Sequence, residues 1–273
     1  MPFHDSGGLS PSPEVELPLD YDILLQLASG VGFSLLESGA EIYRVEESVQ
    51  RILMAYGAQR GEVFAIPNCL IVSLNGPDGQ PLTQMRRMPN HGTDIDRLEK
   101  VNDFCRRVCR DTPDLAQAQA ELERICAQRR NYSFQAVLGG YTLGTAAFCL
   151  FFGGGPADAL CGALCGLVIG LSLHFMDLLH TNLFFKTIAA GFFSALLALG
   201  LTILGLGKNL DLIIIGTIMS LVPGIAFTNA MRDIIAGDMV SGITRTAEAL
   251  LIGVAIALGT GLALGLAKLA AGA

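Results

Sequence analysis

Residues 183–204, LFFKTIAAGFFSALLALGLTIL, hold a single charged side chain, Lys186. An apolar run of about 18 residues or more is long enough to cross the hydrocarbon core of a bilayer as a helix. Two such runs precede this stretch and two follow it, so the sequence predicts a bundle of about five transmembrane helices. Their predicted limits are Phe134–Gly153, Ala157–Met176, Leu183–Leu204, Leu210–Ala230 and Ile243–Ala267.

The charged residues are distributed very unevenly along the chain. Of 43 charged residues, 32 precede Phe134 and 11 lie from Phe134 onward, which predicts a soluble domain followed by a membrane domain. The first part has 13 basic and 19 acidic residues, and this negative balance argues against a nucleic-acid partner. The predicted division is a disordered leader at 1–18, a small cytoplasmic α+β domain at 19–130 and a transmembrane helical domain at 131–273.

Helical periodicity and turn-forming residues predict the elements of the soluble domain. Gly39 and Gly57 follow two apolar-periodic segments and can end both helices. The turn-forming run at 75–79 separates two short apolar segments and predicts a hairpin. The predicted helices are 19–38, 40–56, 94–110 and 113–130, and the predicted strands are 62–66, 69–74 and 82–87.

The orientation in the membrane is predicted from the arginines before the first span. Basic residues that flank membrane spans remain in the cytoplasm, according to the positive-inside rule. We therefore expect the chain in the cytoplasmic (inner) membrane with its soluble domain in the cytoplasm and, after five spans, its C-terminus outside. The arginines that predict this orientation are Arg106, Arg107, Arg110, Arg124, Arg129 and Arg130.

The fourth predicted span is interrupted. The apolar run Leu212–Val222 would form about 16 Å of helix, roughly half of a bilayer, before Pro223 and Gly224 break it. Broken helices are tolerated in lipid only where protein or water satisfies the freed backbone groups, and transporters use such breaks to bind substrates.

Polar and charged residues follow the break closely. Asn229, Arg232 and Asp233 are three and four residues apart and therefore face one way on a helix. Ionisable groups near membrane depth often line a substrate or ion path. An ordinary cytoplasmic loop with helix caps and salt bridges would also explain them. The candidate residues of a substrate or proton pathway are Pro223, Gly224, Asn229, Arg232, Asp233, Asp238, Arg245 and Glu248.

A second polar segment connects the second and third spans. His174, Asp177 and His180 are each three residues apart, and histidine titrates near neutral pH, so a proton relay is one interpretation. A polar turn at the membrane interface is the other. The seven cysteines include no Cys-x-x-Cys pair, and neither a metal site nor a cofactor is predicted.

The second span carries glycines at every fourth position. Gly162, Gly166 and Gly170 therefore share one face of the helix. Glycine lets helix backbones approach closely in lipid, where van der Waals packing drives association. This face is predicted to be a helix-packing seam.

Several motifs together resemble the threonine/serine exporter family. The order PGxxxTNAxRDxxxGDxxSGxxRxxEA at Pro223–Ala249 is similar to the family signature. The soluble part matches at Gly39–Glu41, Arg44–Glu46, Arg86–Pro89 and Asp94–Leu98, so the resemblance covers about residues 20 to 268. It is closest to the N-terminal half of the long, fused exporters.

The resemblance implies a subunit of a secondary exporter that is driven by the proton gradient. It implies a transporter and not an enzyme. A small carboxylate-bearing metabolite is the implied substrate, either threonine or serine or a dicarboxylate such as succinate. Arg232 and Arg245 would attract its carboxylate, because the planar guanidinium binds carboxylates bidentately. A second small membrane protein would supply the other half, and an oligomer is expected.

Two other functions remain open at this stage. The soluble domain could be a membrane-anchored hydrolase that uses Glu41, Arg44, Glu46 and His91. No recognisable nucleophile or metal motif accompanies these residues. The chain could also be a passive channel, or a regulatory subunit whose soluble domain senses a ligand.

Overall fold

The computed structural model describes residues 19–58, 61–88, 92–128 and 132–270. The predicted leader at 1–18, together with His91, Arg129 and Arg130, lies outside the described residues. The elements in chain order are α1 (Tyr21–Glu37), α2 (Ile42–Ala55), β1 (Gly61–Ile66), β2 (Cys69–Asn75), β3 (Pro81–Arg87), α3 (Ile95–Asp111), α4 (Leu115–Ala127), α5 (Phe134–Phe151), α6 (Pro156–Leu178), α7 (Leu183–Ile203), α8 (Leu210–Ile218), α9 (Gly224–Ala236) and α10 (Met239–Ala270).

The N-terminal domain, α1 to α4, contains the helices and strands that the sequence predicts. Its strands form an antiparallel sheet in the order β1-β2-β3, and the predicted hairpin joins β2 to β3. Helices α1 and α2 cover one face of the sheet, and α3 and α4 pack on the other side of these helices. Because α1 lies in the middle layer, Leu24, Leu27, Val31 and Leu35 are almost completely buried.

Four of the described helices are long and apolar enough to cross a membrane, namely α5, α6, α7 and α10. The predicted span Leu210–Ala230 is not one continuous helix. It consists of α8 and the start of α9, and the chain turns between Met219 and Pro223 before α9 begins at Gly224. The predicted break at Pro223 and Gly224 is therefore present, and the bundle has four continuous spans and one broken segment.

We name the two ends of the bundle by their position relative to the N-terminal domain. The proximal end is the one at which α5 begins, and the distal end is the opposite one. At the distal end, Asp158 at the start of α6 is buried and accepts hydrogen bonds from the backbone N–H groups of Lys208 (2.7 Å) and Asn209 (3.0 Å). Its carboxylate thereby ties the loop between α5 and α6 to the loop between α7 and α8.

The predicted glycine seam packs α6 against α5. A methyl group added at Gly166 would meet the carbonyl oxygen of Tyr141 at 2.5 Å and would also overlap the hydroxyl of Thr145. Gly162 lies equally close to α5, at Cys149. The seam therefore brings two backbones together in the way that glycine permits in lipid.

Helix α10 extends beyond the rest of the bundle at the proximal end. Its 32 residues span about 48 Å, whereas the hydrocarbon core is about 30 Å thick. It packs along α7 in the same direction, since Gly191 approaches Ile256 and the later Leu264 packs on a cluster that includes Ala198 and Leu201. Counting back from Gly191 and Ile256, α10 begins about 14 Å before the level of Leu183, the first residue of α7.

Candidate functional site

The N-terminal domain contacts the membrane helices through the connection between α1 and α2. Residues 39–42 are consecutive, and each of them makes a hydrogen bond or ion pair with α9 or α10. The two segments are about 190 residues apart in sequence. Both belong to the motifs that resemble the exporter family, so the motifs of the two domains meet at one place.

The C-terminal end of α1 provides two backbone acceptors. Gly39 has φ +88°, a left-handed conformation that favours glycine and turns the chain out of α1. Its carbonyl accepts a hydrogen bond from Asn229 Nδ2 at 3.0 Å, and the carbonyl of Ala40 accepts one from Arg245 Nη2 at 2.9 Å. A cation suits this position, because the C-terminal end of a helix carries partial negative charge.

The N-terminal end of α2 is capped from a different element. Glu41 is the N-cap residue, but its own side chain makes no capping hydrogen bond. Instead, the backbone N–H of Ile42 donates to Asp233 Oδ1 of α9 at 3.1 Å. The first N–H groups of a helix lack intrahelical partners and attract negative charge, so a carboxylate on α9 stabilises the start of α2.

Two ion pairs complete the contact. Arg232 Nη1 donates to Glu41 Oε1 at 2.7 Å, and Arg44 Nε lies 3.5 Å from the other oxygen of Glu41. Arg245 Nη1 lies 3.3 Å from Asp233 Oδ2, although this oxygen accepts no hydrogen bond from the described residues. We call Glu41, Arg232, Asp233 and Arg245 the charged junction.

The two arginines of the charged junction differ in exposure. The Arg245 side chain is 9% exposed and is enclosed by Asp233 and Ala40, whereas the Arg232 side chain is 54% exposed. In this conformation, Arg232 alone of the two presents a large part of its side chain to solvent. That both arginines attract the substrate carboxylate stays a prediction.

The two carboxylates of the charged junction are shifted in opposite directions. Burial works against ionisation of Glu41, but its own backbone N–H, Arg232 and Arg44 outweigh burial and hold its pKa below the ordinary value. Burial raises the pKa of Asp233, and Arg245 and the N–H of Ile42 offset this only in part. Relative to the isolated side chains, protonation is therefore made easier at Asp233 and harder at Glu41.

Small residues of the motif shape the hairpin of α9 and α10. Gly237 has φ +102° and ends α9 in a left-handed turn. A methyl group at Gly242 would lie 2.9 Å from the carbonyl of Ala230 and would overlap Ile234, so this glycine sets the close approach of the two helices. The hairpin places Arg245 of α10 beside Asp233 of α9.

The remaining predicted pathway residues surround the charged junction. Pro223 and Gly224 form the start of α9, about one and a half turns before Asn229. Asp238 precedes α10, and its charge contributes to the raised pKa values of both Asp233 and Glu46. Glu248 lies on α10, one turn after Arg245. The ion-pair partner of Arg245 is Asp233.

His174 and Asp177 lie in the C-terminal part of α6, and His180 lies in the turn that follows this helix. The ring of His174 contacts the ring of Phe134, and Asp177 forms an ion pair with Lys186. His180 has φ +51° in the turn after α6. No hydrogen bond among the described residues joins the two histidines and the aspartate to one another, and the proton relay remains untested.

The described residues that were candidates for a hydrolase site make structural contacts. Glu41 belongs to the charged junction, and Glu46 accepts a hydrogen bond from the backbone N–H of Ala65 at 2.8 Å, which ties α2 to β1. Arg44 contacts Glu41 and Tyr43, while His91 lies outside the described residues. Within the described ranges, no group of three or more His, Cys, Asp or Glu side chains is suited to a metal ion.

Sequence reasoning missed two features of this arrangement. It assigned Glu41 to a motif of the soluble domain, without the contact to Arg232. It also passed over Asp158, although an aspartate inside an apolar run is a recognisable signal, since an intramembrane carboxylate needs partners. The docking of residues 39–42 on α9 has no comparable local signal.

Comparison with known proteins supports the resemblance. A family described as "Putative threonine/serine exporter" matches residues 26–267. A "Probable threonine/serine exporter" of Mycobacterium tuberculosis is 24% identical over 242 residues, which cover 87% of this chain and 44% of that protein. "Pheromone-regulated membrane protein 10" of Pichia sorbitophila is 25% identical over 244 residues, which cover 86% of this chain and 24% of that protein. The chain thus spans less than half the length of these relatives, and no solved structure matches it.

Proposed function

Because the chain belongs to the threonine/serine exporter family, we propose that it forms one part of a proton-driven membrane exporter. Its substrates are small polar metabolites that carry a carboxylate, either threonine and serine or dicarboxylates such as succinate. This assignment makes the chain a transport protein and not an enzyme. The observation that carries it is the charged junction, where a broken membrane helix, a soluble domain and four ionisable side chains meet.

Arg232 is the residue we assign to substrate recognition. One of its nitrogens donates to Glu41, yet the side chain is 54% exposed and keeps donors for a second partner. A guanidinium can bind a carboxylate through two parallel hydrogen bonds, which an ammonium cannot reproduce. The substrate carboxylate would therefore compete with Glu41 for the same arginine.

Asp233 and Arg245 position this site and provide a group for proton coupling. Asp233 has no exposed surface, and burial raises its pKa above the ordinary value, so we assign proton binding to this carboxylate. Protonation would weaken its pairing with Arg245 at 3.3 Å and with it one contact between the domains. A proton gradient could in this way act on the contact between the N-terminal domain and α10.

The proposal includes the setting of the exporter. The N-terminal domain would lie in the cytoplasm and the bundle in the cytoplasmic membrane. A second small membrane protein would contribute the part of the longer relatives that this chain does not match, and the working unit would be an oligomer.

The test is efflux from cells preloaded with labelled threonine, serine or succinate, with and without the proposed partner protein. We expect export of at least one substrate, and we expect an uncoupler that collapses the proton gradient to stop it. Arg232→Lys and Arg232→Gln should lower export by about tenfold or more, because bidentate binding is lost. Arg124→Gln, at an exposed arginine of α4, is the matched control and should export normally.

Two outcomes would contradict the proposal. Full export by Arg232→Lys and Arg232→Gln at equal protein amounts would remove Arg232 from substrate recognition. Efflux that continues unchanged after the proton gradient is collapsed would favour the passive channel over a proton-driven exporter.

A further inference from the structure

A groove in the N-terminal domain lies between α2 and α3, and it extends along α2 away from the charged junction. Its volume is about 730 Å³. Along α2, Arg44, Glu47 and Arg51 recur at positions i, i+3 and i+7 and form one wall. Glu99, Arg106 and Arg110 of α3 stand on the opposite wall.

The groove is positively charged on a negatively charged domain. Four arginines and two glutamates line it, although acidic residues outnumber basic ones in the part of the chain before Phe134. Arg106 is exposed, and none of the ion pairs among the described residues involves it. A concave site lined by one sign of charge raises the local concentration of the opposite ion.

The positive charge is concentrated at one end of the groove. Cys105 Sγ of α3 lies 3.7 Å from the backbone carbonyl oxygen of Ser48 on α2, and Arg51 and Cys109, one turn further along each helix, line the same groove. The C-terminal ends of α2 and α3 therefore lie side by side. Arg51, Arg106 and Arg110 therefore share this end. Burial raises the pKa of Cys105 to about 12 and also raises that of Cys109, so both thiols at the floor stay neutral.

We propose that this end of the groove is a binding site for a small soluble anion with two or more negative charges, held by Arg51, Arg106 and Arg110. Guanidinium groups bind phosphate and carboxylate oxygens in pairs, so three of them match a ligand with several anionic oxygens. The ion pairs that Arg51 and Arg110 make with Glu47 and Asp111 are exposed and weak, and a multiply charged ligand can replace them. The site does not depend on what the bundle transports.

The other end of the groove reaches the charged junction. Arg44 lines the groove and also lies 3.5 Å from Glu41, the partner of Arg232. Arg51 is seven residues further along α2, about 10 Å from Arg44, which places the anion site away from the bundle. This distance favours a soluble anion over a lipid headgroup, and it leaves Arg44 as the physical connection between the site and the junction.

The test is a binding titration of the full chain with inorganic pyrophosphate, in nanodiscs of zwitterionic lipid. We expect saturable binding of one ion per chain. Arg106→Gln and Arg51→Gln should weaken the affinity by about tenfold or more, while the exposed control Arg124→Gln should leave it unchanged. Thermal unfolding of each variant confirms that the fold is intact, and exposed arginines of this kind tolerate substitution.

Three results would overturn the proposal. The absence of saturable binding at millimolar pyrophosphate would exclude the site. An equal loss in Arg124→Gln would show that binding depends only on the overall charge. The third result is weaker pyrophosphate binding in nanodiscs that contain anionic lipid, together with loss of this lipid effect in Arg106→Gln. It would assign the groove to a lipid headgroup and not to a soluble anion.

Discussion

At the residue scale, Asp233 is the buried carboxylate that joins α9 to both α2 and α10. It has no exposed surface, caps the backbone of α2 through Ile42 and pairs with Arg245. Desolvation of a buried ion pair offsets much of its attraction, so such a pair adds little net stability. Removal of one partner is nevertheless costly, because the other charge stays buried without compensation.

A double-mutant cycle on Asp233 and Arg245 tests this pairing. Asp233→Asn and Arg245→Met should each destabilise the full chain by about 3–5 kcal/mol, since each leaves one buried charge alone. The double variant should be less destabilised than the sum of both, with a coupling energy of about 0.5–3 kcal/mol. Thermal unfolding of the purified chain measures the cycle, and purely additive effects would contradict the pair.

Glu46 provides a prediction about pH. Burial raises its pKa above the ordinary value of 4.5, and the charge of Asp238 adds to the rise. A carboxyl group whose pKa is raised in the folded state stabilises the protein at low pH, and this stability is lost as the pH rises through the folded pKa. Glu46→Gln keeps an acceptor for Ala65 but carries no charge, so it should raise the unfolding temperature at neutral pH and leave it nearly unchanged below pH 4.5.

The control for this prediction is Glu62→Gln, at an exposed glutamate of β1. Its substitution should change the unfolding temperature little at either pH. A Glu46→Gln chain that is less stable than the parent at neutral pH would show that the ionised carboxylate contributes favourable contacts.

At the element scale, the helices and strands could be predicted, but their docking could not. Apolar periodicity and glycine stops are local signals, and they located α1, α2 and the hairpin of β2 and β3 within a few residues. The break before Gly224 could also be predicted, because proline disrupts the hydrogen bonds of a helix. The contact between Glu41 and Arg232 joins residues 191 positions apart, and no local periodicity encodes which distant surface a helix end will meet.

The close contact between α5 and α6 predicts that one added methyl group on α6 destabilises the bundle. Gly166→Ala should destabilise the bundle by about 1–3 kcal/mol, because the added carbon meets Tyr141 and Thr145 across the seam. Gly144→Ala, in α5, is the matched control, since a methyl group there meets nothing within 4 Å. It should be neutral, or stabilising by up to about 1 kcal/mol through helix propensity.

Thermal unfolding in an uncharged detergent, compared with the parent chain, distinguishes the two variants. If Gly166→Ala unfolds at or above the temperature of Gly144→Ala, the close packing of α6 on α5 is wrong.

At the scale of the whole molecule, α10 connects the two functional regions. It begins in the hairpin that holds Arg245 against the N-terminal domain, and it then packs along α7 toward the distal end. Its proximal extension explains why a charged arginine can occur in so apolar a helix. Arg245 precedes the level at which α7 begins and is enclosed by Asp233 and Ala40.

The path of the chain predicts that its two ends lie on opposite sides of the membrane. Helices α5, α6 and α7 are three passes, the broken segment of α8 and α9 returns to the N-terminal domain at Asn229, and α10 leaves it again. With the N-terminal domain in the cytoplasm, as proposed, a reporter fused after Arg130 should be cytoplasmic, and one fused after Ala273 should be outside. Insertions at 179–182 and 205–208 serve as internal controls and should report the cytoplasm and the outside, respectively. If both ends report the same side, α8 and α9 do not cross the membrane. Arg232 and Arg245 would then lie on the side opposite to the N-terminal domain and could not contact it.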